Sequence, residues 1–188
     1  MSVGEVSTDR RVRRSRSALC RAAVELVGER GTTNVAVSEL AEAADVSRQL
    51  IYQQFGDRDS LLLEAAVDLA RRDLAEPNNP DREVAAKGIA AALQHFARHR
   101  AFYRAMLTGP CAYRLTIALS DLLSPFNREL VRRMPGVRAD VVDDLTMFVT
   151  GGWAAVINDW IINGPEPLDV EAFAARLMKL LRAINPEV

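Results

Sequence analysis

The stretch from Val37 to Leu61 constrains the fold most, because it holds two short amphipathic segments separated by a break too short to be a linker. Leu40 and Ala41 belong to one apolar face of the first segment. Ser47 is a favourable N-cap for a second helix, which we expect over about residues 48–54. The stretch therefore predicts two short helices joined by a tight turn.

The second of these helices has two distinct faces. Ile51 and Phe55 lie four residues apart and should be buried, whereas Gln49 and Gln53 lie roughly opposite. A helix of this length is unstable alone in water, so its apolar side must pack on other helices. A braced helix of this kind suits a DNA major groove, where glutamine pairs with adenine and arginine with guanine.

At these residues the sequence resembles the TetR family of one-component bacterial transcriptional regulators. The matches agree with the family pattern in order and spacing, and they are Arg16, Leu19, Ala22, Ala23, Gly31, Val37, Leu40, Ala41, Ala44, Val46, Ser47, Tyr52, Phe55 and Leu61. Arg58 and Asp59 stand where the family has Lys-Glu. The resemblance is strong over about residues 10–75 and weak beyond them.

Several positions depart from the family pattern. Ala36 replaces the threonine that caps the second helix, and Asp45 replaces a glycine in the turn. Gln49 and Leu50 replace Gly-Thr, and Gln54 stands where histidine is common. Because Gln49 and Leu50 are on the exposed face, these changes leave the bases that are read undetermined.

The resemblance implies a DNA-binding domain over residues 1–56 and an effector-binding and dimerisation domain over residues 57–188. The candidate DNA contacts are Arg13, Arg14, Arg16, Ser47, Arg48, Gln49, Leu50, Tyr52, Gln53 and Arg58. We assign base readout to Arg48, Gln49 and Gln53. Tyr52 and Arg58 are assigned to the DNA backbone.

Charge favours a local rather than a global attraction to DNA. The formal net charge of the 188-residue chain is −1, yet residues 1–21 contain six arginines and only two acidic residues. A solvated helix terminus would give the same pattern. The position of the cluster just before the helix-turn-helix favours phosphate contact.

The whole chain is predicted to be all-α, with a three-helix head, a helical body and about nine or ten helices. Residues 1–8 are expected to be disordered, and a first helix should run from about Asp9 to Arg30 and be ended by Gly31. Residues 77–80 mark a boundary, and Ser124-Pro125 should kink or split a long helix.

The last two helices are candidates for a subunit interface. Residues 139–163 are apolar nearly all round from Leu145 onward, and the central Gly151-Gly152 predicts close backbone packing. The resemblance implies that this helix and residues 169–184 form a four-helix bundle with a second copy. Packing of both helices within one subunit remains an alternative.

The resemblance also implies a pocket for a small-molecule effector in the second region. Aromatic and polar side chains occur together there, and the candidate lining residues are Phe102, Tyr103, Met106, Tyr113, Phe148, Trp153 and Asn158. Thr116 and Thr150 are further polar groups in this region.

Other chemistries lack support in the sequence. His95 and His99 have a spacing that can hold a metal ion, but no third ligand is evident nearby, so neither a metal nor a cofactor is predicted. No phosphate-binding or nucleophile motif indicates an enzyme. We find no uninterrupted apolar run of roughly 18 residues and no secretory segment, which favours the cytoplasm.

The sequence thus predicts a homodimeric, ligand-responsive repressor that releases a pseudo-palindromic operator when its effector binds. The alternative is a helical small-molecule sensor of the same fold without specific DNA readout, which Ala36, Gln49 and Leu50 keep open. The effector, the operator and the choice between repression and activation are left undetermined.

Overall fold

A computed structural model describes residues 3–74 and 82–184, with the side chains of residues 10–74 and 88–183. Within these ranges the chain forms α-helices and no strand, which confirms the all-α prediction. The helices are α1 (Val3–Arg30), α2 (Val37–Ala43), α3 (Arg48–Phe55), α4 (Arg58–Leu74), α5 (Arg82–Arg98), α6 (Arg100–Thr108), α7 (Ala112–Arg132), α8 (Val142–Asn163) and α9 (Val170–Ile184), with a 3-10 turn at Ala139–Val141. The predicted boundary at residues 77–80 lies outside the described residues.

The chain forms two compact units. The head unit comprises Met1–Leu69 and Ala101–Leu115, and the body unit comprises Ala70–Arg100 and Thr116–Val188. The head unit therefore includes α6 as well as the helix-turn-helix.

The head unit has a core of its own, to which α6 contributes aromatic side chains. Phe102, Tyr103 and Met106 are almost fully buried there, together with Leu19 and Ile51. The Tyr103 hydroxyl donates a hydrogen bond to the carbonyl oxygen of Ala66 at 3.3 Å. Three residues that the sequence analysis assigned to an effector pocket are therefore part of this core.

The ends of the first helix differ in how well they were predicted. α1 ends where expected, because Gly31 has a φ of +63° and its N–H bonds to the Val27 carbonyl at 3.0 Å. Its start at Val3 is earlier than the predicted Asp9, so the expectation of disorder is wrong for residues 3–8, and residues 1 and 2 lie outside the described residues.

A glycine is required where α6 ends. A Cβ on Gly109 would lie 2.7 Å from Thr33 Oγ1 and 3.0 Å from the Ala105 carbonyl oxygen. The connector between α1 and α2 therefore approaches the end of α6 too closely for a side chain.

The body unit is stabilised around the end of α8. Trp160 stacks on Phe173 of α9, with ring centroids 4.3 Å apart. Arg100 donates hydrogen bonds to the carbonyl oxygens of Ile161 and Gly164 and pairs with the carboxylate of Glu166. These bonds satisfy carbonyls that the end of a helix otherwise leaves unpaired.

The predicted interruption of the long helix before residue 134 does not split it. α7 runs unbroken from Ala112 to Arg132 with Pro125 inside. Proline removes one N–H donor, and the helix continues on both sides of it.

Helix α8 corrects one expectation from the sequence. The segment Ala139–Asn163 has a mean hydropathy of 1.3 over its most apolar window, which makes it long and apolar enough to cross a membrane by length and composition alone. Polar residues such as Thr146 and Asn158 interrupt the run, but the other residues of the window are apolar enough to keep its mean high. Only 28% of that window is buried within the chain.

Candidate functional site

The turn between α2 and α3 is a Schellman motif built without glycine. The Val46 N–H bonds to the Ala41 carbonyl at 2.9 Å, and the Asp45 N–H bonds to the Glu42 carbonyl at 3.1 Å. Asp45 has a φ of +51°, the left-handed conformation for which the family pattern has glycine. Aspartate tolerates this conformation better than most residues, so the turn is preserved.

Helix α3 presents a polar face around one buried anchor. The Ser47 hydroxyl caps the helix by accepting a hydrogen bond from the Leu50 N–H at 3.3 Å, and Ile51 is fully buried. The exposed residues are Arg48, Gln49, Tyr52 and Gln53, while Leu50 is half-buried. Tyr52 is 54% exposed, which is unusual for a large aromatic side chain in a core-forming helix.

The first helix of the pair begins without a side-chain acceptor at its N-cap. Ala36 offers none, but the Glu39 carboxylate accepts a hydrogen bond from the Ala36 N–H at 2.9 Å. Glu39 also binds the Arg30 guanidinium, and the hydrogen bonds from Arg30 and from the Ala36 N–H hold the pKa of Glu39 below its ordinary value. The start of α2 thus keeps one half of a capping box, and Arg30 at the end of α1 pairs with the carboxylate that provides it.

Arg16 is engaged within the protein. Its guanidinium donates to the Gln54 carbonyl oxygen at 2.8 Å, pairs with Glu64 and lies 4.6 Å from the centre of the Phe55 ring. The side chain is 31% exposed. It therefore braces α1 against α3 and α4.

The other candidate arginines have varied surroundings. Arg13 and Arg14 are exposed on α1. Arg58 is half-buried and pairs with Asp59, with Nε 3.0 Å from Oδ1. Asp57 caps α4 through the Ser60 N–H at 2.6 Å, and that bond together with the Ser60 hydroxyl lowers the pKa of Asp57.

The body unit contains a cavity of about 510 Å³. Its wall is largely apolar and includes Phe96, Leu119, Phe126, Trp153, Ile157 and Leu177. Two hydrogen-bonded pairs interrupt this surface. Asn127 Nδ2 donates to Thr150 Oγ1 at 2.9 Å, and Asn158 Nδ2 donates to Thr116 Oγ1 at 3.0 Å.

Only some of the predicted pocket residues line this cavity. Trp153 and Asn158 do so, and the polar residues Thr116 and Thr150 do so as well. Tyr113 and Phe148 are 77% and 65% exposed, and Phe102, Tyr103 and Met106 belong to the head core. Apolar helical spacing alone does not distinguish a cavity wall from a core or an exposed face.

The cavity wall also contains three residues that were not predicted to line a pocket, namely Asn127, Phe126 and Asp73. Asn127 is 4% exposed. The signal in the sequence that could have identified it is an amide side chain on a helix face of otherwise mostly apolar residues, because a buried amide needs a polar partner. Phe126 has room beside Gly88, whose Cβ would come within 3.1 Å of the ring. Asp73 contributes to the wall through tertiary contacts that no local pattern indicated.

Asp73 is hydrogen-bonded to two histidines at the edge of this cavity wall. Its Oδ2 lies 2.9 Å from His95 Nδ1 and 3.2 Å from His99 Nε2. Burial opposes the charge on Asp73, but the two histidine hydrogen bonds outweigh it and lower the pKa of that carboxyl. Burial also lowers the pKa of His95, against the opposing effect of Asp73.

Helix α8 exposes an apolar stripe on its outer side. Met147 and Phe148 are 70% and 65% exposed, and the stripe continues through Gly151, Gly152 and Ala155. Among the described residues, nothing outside the helix backbone approaches within 4 Å of a Cβ built on either glycine. The close packing predicted for Gly151-Gly152 is therefore not made within one chain.

The helix-turn-helix of this chain matches a known protein family. Residues 19–65 match the family described as bacterial regulatory proteins, TetR family. The chain carries a TetR-family DNA-binding domain. The match spans the end of α1, both helices of the helix-turn-helix and the start of α4, and it confirms the resemblance found in the sequence.

Solved structures extend the likeness in fold to about nine-tenths of the chain. The dihydroxyacetone kinase operon activator DhaS has a TM-score of 0.68 at 16% identity, with 92% of this chain and 96% of that chain covered. The TetR-family repressor AlkX from Dietzia has a TM-score of 0.58 at 22% identity, covering 89% and 95%. Thermus thermophilus FadR, solved with lauroyl-CoA, has a TM-score of 0.56 at 22% identity, covering 89% and 91%. No curated protein sequence matches the chain.

The family match supports a DNA-binding regulator of transcription, and the solved structures show the fold that the chain shares with TetR-family regulators. The neighbours include both an activator and a repressor, and they are regulators rather than enzymes.

Proposed function

We propose that this protein is a homodimeric, ligand-responsive repressor that binds a pseudo-palindromic operator and releases it when a small molecule enters the body cavity. The observation that carries the proposal is the surface of α3, where Arg48, Gln49, Tyr52 and Gln53 are exposed around the buried Ile51. This is the arrangement that a recognition helix needs in a major groove.

Each exposed residue of α3 has a proposed part in recognition. Gln49 and Gln53 stand one helical turn apart and address neighbouring base pairs, where glutamine offers adenine a donor and an acceptor together. Arg48 reads a base from the first turn of the helix. Tyr52 donates to a phosphate and fixes the register of the helix. Leu50, half-buried beside them, makes apolar contact with a base.

The flanking residues contribute affinity without sequence information. We propose that Arg13 and Arg14, exposed on α1, contact phosphates and make binding dependent on salt. Arg16 and Arg58 remain candidates for phosphate contact, but their internal partners support a first role in positioning α3 and α4. The Ser47 hydroxyl is used as a helix cap.

We propose that two copies associate through α8 and α9. The apolar stripe that includes Met147 and Phe148 would be exposed to solvent in a monomer. Gly151 and Gly152 have no neighbour within 4 Å of a Cβ position, so another backbone can approach closely there. Asp144 and Asp159 are exposed on α8, and basic residues are exposed on α9, namely Arg176, Lys179 and Arg182. A second copy placing α9 beside α8 would bring these opposite charges together.

The cavity supports an effector that is mostly apolar and carries one or two hydrogen-bonding groups. Its volume of about 510 Å³ lies within the range of small-molecule sites. Its polar features are the two Asn–Thr pairs together with Ser120, Arg71 and Asp73, and apolar side chains form most of the remaining wall. The FadR structure contains lauroyl-CoA. Its acyl chain is one example of an apolar group that such a cavity could hold.

We further propose that DNA binding is confined to residues 1–56, and that effector binding and dimerisation belong to residues 57–188. The protein acts in the cytoplasm, where its operator is accessible, and it has no catalytic role. Regulation follows if the effector binds one conformation of the dimer more tightly than the conformation that fits both half-sites.

Selection of bound duplexes from a random library tests specific recognition. The full-length protein should enrich a pseudo-palindrome and bind it at least about a thousandfold more tightly than unrelated duplex. Gln49→Ala should relax one position in each half-site, with a cost of about 1–3 kcal/mol per lost base contact. Tyr52→Phe should weaken all sequences by a similar factor.

Gln94→Ala, an exposed glutamine on α5, is the matched control and should leave the selected site and the affinity unchanged. Enrichment of no motif would favour the alternative of a sensor without specific readout. An unchanged half-site for Gln49→Ala would remove that residue from the proposed recognition surface.

The effector part of the proposal is tested separately. Mass spectrometry of small molecules that co-purify with the protein should identify a mostly apolar compound, and Ala154→Phe should abolish its retention by filling the cavity. Operator binding by Ala154→Phe should persist, and in the wild type the compound should release the operator. A compound that tightens operator binding instead would indicate activation.

A further inference from the structure

Folding brings three potential metal ligands together in the body unit. His95 and His99 lie one turn apart, since the His99 N–H bonds to the His95 carbonyl at 3.1 Å. Asp73, on α4, places its Oδ2 2.9 Å from His95 Nδ1 and 3.2 Å from His99 Nε2. Asp73 is the third ligand that was not evident in the sequence, because 22 residues separate it from His95.

We propose that Asp73, His95 and His99 form a binding site for Zn²⁺ or a similar borderline transition metal ion. The inference goes beyond the regulatory function and does not rest on it.

Two of the three distances between the ligand atoms are close to those of a zinc site. The three ligand atoms lie within 4.8 Å of one another. Around tetrahedral zinc with bonds of about 2.0–2.1 Å, neighbouring ligand atoms are roughly 3.3 Å apart. The two distances to Asp73 are already near that value. Rotation of the imidazole rings that brings their two nitrogens to a similar distance from each other would admit an ion.

The ligand set and its burial also suit a transition metal. Two imidazoles and one carboxylate favour zinc over calcium or magnesium, which prefer oxygen ligands. The His95 side chain is only 1% exposed and is held in place, whereas those of Asp73 and His99 are 26% and 23% exposed. An ion can therefore reach the site from solvent and meet a pre-positioned ligand.

One nearby cation competes for the same carboxylate. Arg98 Nη1 lies 3.7 Å from Asp73 Oδ2, and its side chain is 66% exposed. In the absence of a metal, Asp73 is stabilised by these cationic and hydrogen-bonding neighbours. When zinc binds, Arg98 can move into solvent at little cost because its side chain is largely exposed.

The site as proposed has three protein ligands. Zinc in such a site keeps a position for water or another ligand, as in sites where the metal meets a small molecule. Asp73 also lines the cavity. The metal would therefore be attached to the wall of the proposed effector site.

The proposal is tested by titrating Zn²⁺ into chelator-treated, tag-free, full-length protein against a chromophoric chelator. We expect one ion per chain. Loss of a residue that only supports a metal ligand weakens metal affinity by roughly tenfold to hundredfold. His99→Gln and Asp73→Asn each remove a ligand, so each should weaken zinc affinity by more than that. Arg98→Gln is the matched control and should retain or tighten binding.

Folding and metal loss are kept apart by a second measurement. His99→Gln replaces a partly exposed side chain, so its unfolding temperature in chelator should match that of the wild type, while the zinc-dependent rise in that temperature disappears. Co²⁺ in place of Zn²⁺ should give the intense visible absorption of four-coordinate cobalt in the wild type only. The proposal would be overturned if the wild type showed no saturable zinc binding. It would also be overturned if His99→Gln and Asp73→Asn bound zinc as tightly as the wild type.

Discussion

In the head unit, α3 turns Gln49 and Gln53 to solvent around the buried Ile51, whereas in the body unit Asn127 and Thr150 pair inside the wall of a cavity. Both regions combine polar groups with an apolar support. They differ in where the polar groups point. Polar groups that face solvent suit the proposed contact with DNA, and polar groups that face a cavity suit the proposed binding of a small molecule.

The two regions also differ in how complete they are in one chain. The head unit satisfies its own turns and caps, through Asp45, Ser47 and the Glu39–Arg30 pair. The body unit leaves Phe148 and its neighbours on α8 exposed. The head unit therefore completes these helix ends within one chain, whereas the body unit leaves an apolar stripe that the proposed second copy would cover.

The largest effect should come from breaking the apolar stripe on α8. Phe148→Arg should convert the dimer to a monomer at micromolar concentration, because the charge would be buried at the interface. Operator affinity should fall by about a hundredfold or more, since the two half-sites would no longer be bound together. Sedimentation and fluorescence anisotropy measure the two quantities.

The control for that experiment is Tyr113→Arg, which changes a similarly exposed aromatic residue in the head unit. It should remain dimeric. A Phe148→Arg protein that sediments as a dimer would show that α8 is not the interface, and the contrast between a complete head and an incomplete body would fail.

The next effect separates two arginines of α1. Arg16→Ala should reduce the free energy of unfolding by about 2 kcal/mol, because it removes charged hydrogen bonds to Gln54 and Glu64. Arg14→Ala should leave stability within about 0.5 kcal/mol of the wild type and flatten the salt dependence of DNA binding by about one unit. Urea unfolding and binding at several salt concentrations test this pair.

If Arg16→Ala proved as stable as the wild type and weakened binding to all DNA equally, its guanidinium would belong with Arg14 on the DNA surface. The head unit would then rely less on its internal ion pairs than the structure indicates.

A smaller gain in stability is expected in the helix-turn-helix turn. Asp45→Gly should raise the free energy of unfolding by about 0.5–1 kcal/mol, because Asp45 adopts a φ of +51° that glycine adopts without strain. Asp45→Ala keeps the strained conformation and should give no gain. Thermal and urea unfolding of the three proteins measure the differences, and equal stability of the two variants would contradict the account.

The smallest effect concerns the start of α2. In the folded protein the pKa of Glu39 lies below its ordinary value of 4.5, so its contribution to stability is present at neutral pH and is lost as pH falls through the folded-state value. The difference in unfolding free energy between wild type and Glu39→Gln should therefore be constant near neutrality and shrink in acid. Glu42→Gln, on the same helix, is the control, and a difference independent of pH would argue against the Glu39–Arg30 cap.

Local patterns predicted most of the head. Helical periodicity identified Ile51 as buried and Gln49 and Gln53 as exposed, and Ser47 was identified as a cap from residue type alone. These predictions succeed because helix phase and capping act within about one turn of the chain. Even in the head, local patterns did not predict that Arg16 pairs with Glu64, because 48 residues separate the two in the sequence.

The sequence by itself determined an all-helical chain with a recognition helix and the identity of its exposed side chains. Only the tertiary structure decided that Phe102 and Tyr103 fill the head core, that Asn127 faces a cavity and that Asp73 meets two histidines. Apolar and aromatic residues have the same helical spacing in a core, a cavity wall or an interface. Their roles depend on which distant helix packs against them, and that information lies in long-range contacts rather than in neighbouring residues.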